Sequence, residues 1–445
     1  MSSRLRTPRG HSPQKAADMN KPSISIFITV VVSVVTGIQA QSSRSIESIS
    51  RPRVVARSKT NHPEKAKYQE PSGQQQQSGS QSGQKATTPN RQQPESVVRE
   101  DPGAARRLSP NRIRSRINEA QRLMKIRPVP TAMTLPSLEY VTLAVLLPET
   151  SQIHLIRVAK KAFLTKGSEV SGMSSLGLPV QIRILRANGV NTAVTVFDGK
   201  GRSLLPLVVE FPIERRGVFH EMAYYTSAHA ALLSAELMKS GQTYVNSMID
   251  LAGKRLRERG VNIAPNIMDV AKRLCIVEHV DHDRFRNENR IALFEEVYTL
   301  YALNELDTYR YSVSSAGAGG MVQMIPWTYS LMRQRHPGVG LNPDFVAGMR
   351  NHGNALEAML LYMQDTWNDL SANEDVQAAL SARQATVTEL LAAGYNSNAA
   401  KLPGYIRRAG AGWRTLIPRE TQNYLTIYQS LDTLMKPKDN HQRKK

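Results

Sequence analysis

Between residues 304 and 328 the chain reads NELDTYRYSVSSAGAGGMVQMIPWT, and its one strongly placed reactive group is the carboxyl of Glu305. Before it, Phe294, Val297, Tyr298 and Tyr301 recur at three- and four-residue intervals. A helix with that spacing sets Glu305 on its apolar stripe. Burial there disfavours the charged form and leaves a carboxylic acid able to donate a proton near neutral pH, the property of a general acid. The competing reading is a helix-end glutamate turned to water. After Glu305 come a loop of small residues, 314–320, and a second apolar run closed by Pro326.

Glu305 with Ser314, Gly317, Ala318, Gly320, Met321, Gln323 and Pro326 resembles the signature of the soluble-type lytic transglycosylases. In that family a Glu-Ser pair is followed, nine residues after the Glu, by Ser-x-x-Gly-Ala-x-Gly-Leu-Met-Gln-x-x-Pro. The spacing here fits without a gap. Leu306 stands where the family has Ser, and Met321-Val322 where it has Leu-Met. A second motif, Ala-Tyr-Asn-Ala-Gly, is similar to residues 394–398, GYNSN, and a closing Glu-Thr-x-x-Tyr helix to residues 420–424, ETQNY. Asn398 replaces a Gly, and Asn is the next residue most tolerant of left-handed backbone. The resemblance covers about residues 262–430.

Two-carboxylate glycosidases set their acids about 5 Å apart, or further when a water must fit between them. Asp307 lies two residues on, which a helix turns to the far side, and residues 312–328 contain no acid. The resemblance implies a one-acid reaction. Glu305 protonates the leaving glycosidic oxygen, the substrate's 2-acetamido group stabilises the cationic centre, and Glu305 then deprotonates the muramic C6 hydroxyl, giving a 1,6-anhydro product without water. By the same mapping Ser314, Gln323 and Tyr395 hold the sugar or its acetamido group, and Asn396 places Tyr395. Gly317 and Gly320 admit close approach of the glycan, Ala318 belongs to the same loop, and Met321 walls the acid from water.

The elements that must position these residues follow from composition and periodicity. Residues 1–23 are basic and 24–38 (ISIFITVVVSVVTGI) apolar, followed by Gln39-Ala40-Gln41, the parts of a secretory signal. The run is short for a spanning helix, which needs about 20 residues. Cleavage after Ala40 and retention as an inner-membrane anchor both remain open, as do starts at Met1 and Met19. Either way the expectation is an exported protein of a bacterial periplasm or cell envelope. Residues 41–130 are a basic Gln/Ser/Pro-rich stretch with the core SGQQQQSGSQSGQ, unable to bury enough apolar surface to order itself. Within it residues 107–127 have the pattern of a basic amphipathic helix, with Ile113, Ile117, Leu123 and Met124 on one side.

From 131 to 226 the chain turns β-branched and partly alternating, and Asp198-Gly199-Lys200-Gly201 is a hairpin signal. This predicts a small antiparallel module of about five strands, with no cluster of catalytic residues and an unidentified partner. A connecting helix is expected over 227–260, starting at Ser227 and stopping at Gly260. The remainder, 261–435, reads as helices over 265–280, 291–307, 321–335, 354–370, 376–394 and 420–435, with a basic tail at 436–445. The fold class is therefore α+β: a mainly α-helical catalytic domain, which the resemblance implies is lysozyme-like, preceded by a β module and a disordered tether.

The net charge of +21 is unevenly spread: about +15 belongs to residues 1–130 and about +4 to the tail, leaving the body near neutral. A nucleic-acid-binding domain carries its charge on the folded body, so nucleic acid is not an expected partner. The basic tether is either a solvated spacer or a weak contact for anionic lipid or wall polymer. Cys275, the single cysteine, allows no intramolecular disulfide and sits in an apolar helical stretch as a small hydrophobe. The stretch EHVDHD, 278–283, lacks the fixed i, i+4 spacing of a zinc helix and reads as a solvated connection. No metal or other cofactor is expected. The resulting expectation is a lyase: a peptidoglycan lytic transglycosylase acting on glycan strands at the MurNAc-GlcNAc β-1,4 bond. Two alternatives share its fold, a muramidase hydrolysing the same bond and a wall-binding protein without catalysis.

Overall fold

A computed structural model describes residues 108–126 and 137–435, all within one compact unit. The expected signal or anchor segment, most of the expected tether and the basic tail lie outside the described residues. Among the described residues no helix is long and apolar enough to cross a membrane.

Seven antiparallel strands form one sheet: β1 (Tyr140–Leu147), β2 (Gln152–Ala159), β3 (Glu169–Met173), β4 (Pro179–Arg186), β5 (Ala193–Asp198), β6 (Ser203–Arg215) and β7 (Val218–Tyr225). Their order is β2-β1-β6-β5-β4-β3, with β7 added to the far part of β6. The 13-residue β6 makes this possible, pairing with β5 at its start, β1 along its middle and β7 at its end. A bond from Ser175 N–H to Leu155 O (2.8 Å) draws the end of β3 toward β2, and the sheet curls into a half-barrel. The two strands beyond the expected five, β3 and β7, lie outside the five apolar runs and are mostly not buried, while the Asp198–Gly201 hairpin between β5 and β6 forms as expected.

Alternation along β4 is regular: Val180, Ile182 and Ile184 point inward while Gln181, Arg183 and Leu185 face water. In β1 every residue from Val141 to Leu147 is buried, because both faces are covered. Its outer face carries α1 (Pro110–Lys125), capped by Ser109, whose Ile113, Ile117, Ala120 and Met124 pack on Ala144, Leu146, Leu205 and Leu207. Part of the stretch expected to be a disordered linker is thus a docked helix. Fully burying each large aliphatic contributes about 1.5–3 kcal/mol toward the cost of ordering the helix, alongside its own hydrogen bonds. Leu123, expected on the apolar side, is only half-buried.

A four-residue α2 (Lys160–Phe163) follows β2, and after the sheet the helices are α3 (Ala235–Glu258), α4 (Pro265–Val277), α5 (His282–Asn287), α6 (Arg290–Asn304) and α7 (Pro326–Arg335). Then come α8 (Phe345–Arg350), α9 (His352–Ser371), α10 (Glu374–Ser381), α11 (Val387–Asn396), α12 (Leu402–Ala409) and α13 (Arg419–Met435). The connecting helix starts at Ala235 with Ser234, not Ser227, as its cap, and it runs unbroken through Gly241 and Gly253. Gly241 is there for approach: a Cβ would sit 1.8 Å from the main-chain oxygen of Tyr298, so α3 and α6 cross backbone against backbone. The single helix expected over 376–394 is two, because Thr386 caps a new one with a reciprocal Glu389 box. The helix expected from Met321 begins only at Pro326, whose fixed φ suits a first helical position.

Sheet and helices share their core: Phe211, Tyr225 and Val245 belong to the same buried cluster as Tyr301, Met321 and Tyr395. A charged network joins them too. Arg186 on β4 pairs with Glu296 on α6, which also takes Arg284 Nη2 of α5 at 2.9 Å. Burial, helped by the nearby Arg284 charge, lowers the Arg186 guanidinium to about 10.

Candidate functional site

Helix α6 delivers Glu305 and then stops. Asn304 is its last residue, and Glu305, at φ 41° and ψ −116°, opens a single 3-10 turn through Asp307. The expected continuation of the helix to Asp307 is therefore wrong, and so is the burial built on it. The positive φ swings the carboxylate off the apolar stripe, and its side chain is 57% exposed. Glu305 Oε1 lies 3.8 Å from Arg114 Nε, a guanidinium anchored by hydrogen bonds from Nε to Ala302 O (3.2 Å) and from Nη2 to Ser240 Oγ. A pair this exposed contributes ~0–1 kcal/mol. Asp307 is exposed and pairs with Arg310 at 3.4 Å. Leu306 is 62% exposed.

The small-residue loop and the run after it form one hydrogen-bonded flap. Ser314 N–H donates to Ala318 O (2.9 Å) and Ser314 Oγ accepts from Ala318 N–H (3.0 Å), while Gly319 bridges to both Val313 and Met324. Gly317 supplies the turn at φ 76°. Gly320, at φ 67°, leaves no room for a side chain, since a Cβ would lie 2.3 Å from Met349 O. Its close approach is to the backbone of α8. Gln323 is buried at φ 44° and its Nε2 donates to Gly320 O (2.8 Å) and Ser312 Oγ (3.2 Å).

Behind the flap the other two motifs meet it. Tyr395, 2% exposed, donates its hydroxyl to Val322 O at 2.6 Å, so it braces the flap from inside. Asn396 Oδ1 accepts from Thr421 Oγ1 (2.9 Å), which joins the second motif to the third, and Tyr424 donates to Glu278 Oε1 (2.8 Å). Asn398 is extended, at φ −81°, and not left-handed as its replacement of Gly suggested; it caps the next turn through Ala400 N–H. Met321 is fully buried, but with Glu305 exposed it does not shield that acid.

Several residues that hold the site carry no signal in the sequence. His279, expected in a solvated connection, stacks flat on Tyr309 at 3.3 Å between ring centres, and its Nε2–H donates to Met321 O (2.9 Å). Burial lowers its pKa to about 3, so the ring is neutral. His352 Nε2–H donates to Thr308 O (2.8 Å) while its Nδ1 accepts from the Tyr244 hydroxyl (2.8 Å), which fixes its neutral tautomer. Burial again holds it below the usual imidazole range. Asp281 caps α5 and no group of His, Cys, Asp and Glu among the described residues forms a metal-binding set. Cys275 is buried, as expected of a small hydrophobe, and desolvation pushes its thiol up.

Among the described residues six non-glycines have positive φ, and three of them, Glu305, Tyr309 and Gln323, belong to this one stretch. Such residues each cost about 1–3 kcal/mol and collect at functional sites. No family model, no curated protein and no solved structure matches this chain.

Proposed function

We propose that the chain is a peptidoglycan lytic transglycosylase with a lysozyme-like helical domain, in which Glu305 is acid and then base. The observation that carries this reading is the concentration of positive-φ backbone at Glu305, Tyr309 and Gln323 around a flap assembled from the motif residues. Folding sustains that cost where geometry, not stability, is being served. The Glu305 carboxyl gives its proton to the glycosidic oxygen as the C1–O bond breaks, the neighbouring acetamido oxygen covers the electron-poor C1, and the carboxylate then takes the C6 hydroxyl proton as O6 closes on C1. Atoms balance without water.

With Glu305 exposed beside Arg114, both the protonated form that burial was expected to supply and the exclusion of water become the task of the bound glycan. A muramidase reading gains from the same exposure, since water reaches the carboxylate freely in the absence of substrate. Product mass separates the two. The full chain incubated with purified wall should release muropeptides lighter by one water than their reducing-end counterparts. Reducing ends alone would establish hydrolysis. Wall turnover that is absent, or equal in Glu305→Gln, would leave a wall-binding protein.

A further inference from the structure

The β module was expected to serve packing or partner binding, and the residue after its last strand grips the segment that carries Glu305. Asn304, the residue immediately before the acid, donates from Nδ2 to Thr226 O (2.9 Å) and accepts at Oδ1 from Thr226 N–H (2.9 Å). One amide thus satisfies both main-chain groups of the residue after β7, as a neighbouring strand would. The same Nδ2 donates to Leu300 O (3.1 Å), which also accepts from Thr308 Oγ1 (3.2 Å), closing the end of α6. Thr226 is fully buried, so water cannot replace these bonds.

Downstream of the acid the same strand holds again. Glu221 on β7 pairs with Arg350 of α8 (2.6 Å) and Arg310 (3.9 Å). The 3-10 turn is closed by Thr308 N–H to Glu305 O (3.0 Å), and Thr308 O is taken by His352. The backbone of residues 304–310 is therefore fixed by the sheet on one side and by α9 on the other, while the Glu305 side chain stays in solvent.

We propose that Asn304 is a positioning residue for Glu305, and that the β module is by this contact a working part of the active site. The assignment of Glu305 as the reacting group rests on the transglycosylase reading. A displacement of about 1 Å in a reacting group costs on the order of 10²-fold in rate. Asn304→Ala should accordingly lower kcat on purified peptidoglycan by about 10²-fold with KM within about twofold. Hydrogen exchange should show the Thr226 amide losing its protection in the same variant.

Asn304→Asp gives a readout that a merely structural role does not predict. The ionised carboxylate opposes Thr226 O, whereas the protonated acid can donate to that carbonyl and accept from Thr226 N–H. Its activity relative to wild type, and its Thr226 protection, should recover as pH is lowered through the carboxyl titration. The proposal is overturned if Thr226 stays protected in Asn304→Ala, if protection is lost with kcat unchanged, or if Asn304→Asp shows no recovery at low pH in either measurement. Exchange that follows these expectations in a protein inert toward wall would uphold the clamp and overturn the transglycosylase reading. Failure of Asn304→Ala to fold leaves the Asn304→Asp pH response as the test.

Discussion

Residues 312–328 find their partners mostly within themselves, whereas residues 304–310 are held largely from outside. In the first stretch Ser312, Ser314, Ala318, Gly319, Gly320, Gln323 and Met324 bond to one another, with His279 and Tyr395 as external braces. In the second, Asn304 depends on Thr226, Glu305 faces Arg114, Thr308 is taken by His352, and Tyr309 lies against His279. A locally bonded flap is written into consecutive residues. A segment held from outside depends on elements up to about two hundred positions away, so its environment is not legible in its own sequence.

Removing the acid should separate the two stretches most sharply. Glu305→Gln should lower wall turnover by about 10²–10⁴-fold, the usual worth of a general acid. Because the side chain is exposed and keeps its volume, unfolding by denaturant should shift by less than about 0.5 kcal/mol. The flap should behave in the opposite way. Gly320→Ala, meeting Met349 O in a left-handed conformation, should cost about 2 kcal/mol or more in stability, read as a lowered Tm. Gly338→Ala, with open space at its Cβ and φ outside the left-handed range, is the matched control.

A smaller effect is expected from the brace within the core. Tyr395→Phe leaves Val322 O without its buried donor and should cost about 1–2 kcal/mol in denaturant unfolding. Comparable in size is the pH response of His279, which links the two stretches. Its folded value near 3 lies below the ordinary 6.5, so the unfolded chain binds the proton first. Stability from this group is whole above about 6.5 and falls as pH drops from there toward 3, by up to about 1.4 kcal/mol per pH unit. Urea unfolding between pH 7 and 5 should be less steeply pH-dependent in His279→Gln. Least of all, Leu306→Ser, at a 62% exposed position, should leave stability within about 0.5 kcal/mol and wall turnover unreduced.

The pattern of elements was readable where a local rule decides it. The Asp198–Gly201 hairpin, the stop at Gly260, Pro265 as a helix start, and the inward face of β4 all follow from residues within a few positions of one another, whereas Pro326 was read as closing a run and not as the start of α7. Ser314, Ala318, Gly320 and Gln323 come together in one hydrogen-bonded flap. The misreading at Glu305 has a specific cause: the apolar stripe of α6 ends on Tyr301, and one residue at φ 41° is enough to turn the next side chain out to water. Tyr395 was misjudged for the converse reason, because a motif tyrosine can spend its hydroxyl on a neighbouring carbonyl as readily as on a ligand.

By itself the sequence determined the mixed composition of the fold, the order of its strands and helices, and the glycines and proline that shape the flap, since these rest on backbone preferences and short-range spacing. Only the tertiary structure decided that α1 docks on β1 and brings Arg114 to Glu305, and that β7 reaches Asn304 through Thr226. The Arg114–Glu305 and Thr226–Asn304 contacts join residues 191 and 78 positions apart, and no periodicity encodes which buried carbonyl will meet which amide when separate layers close on a shared core.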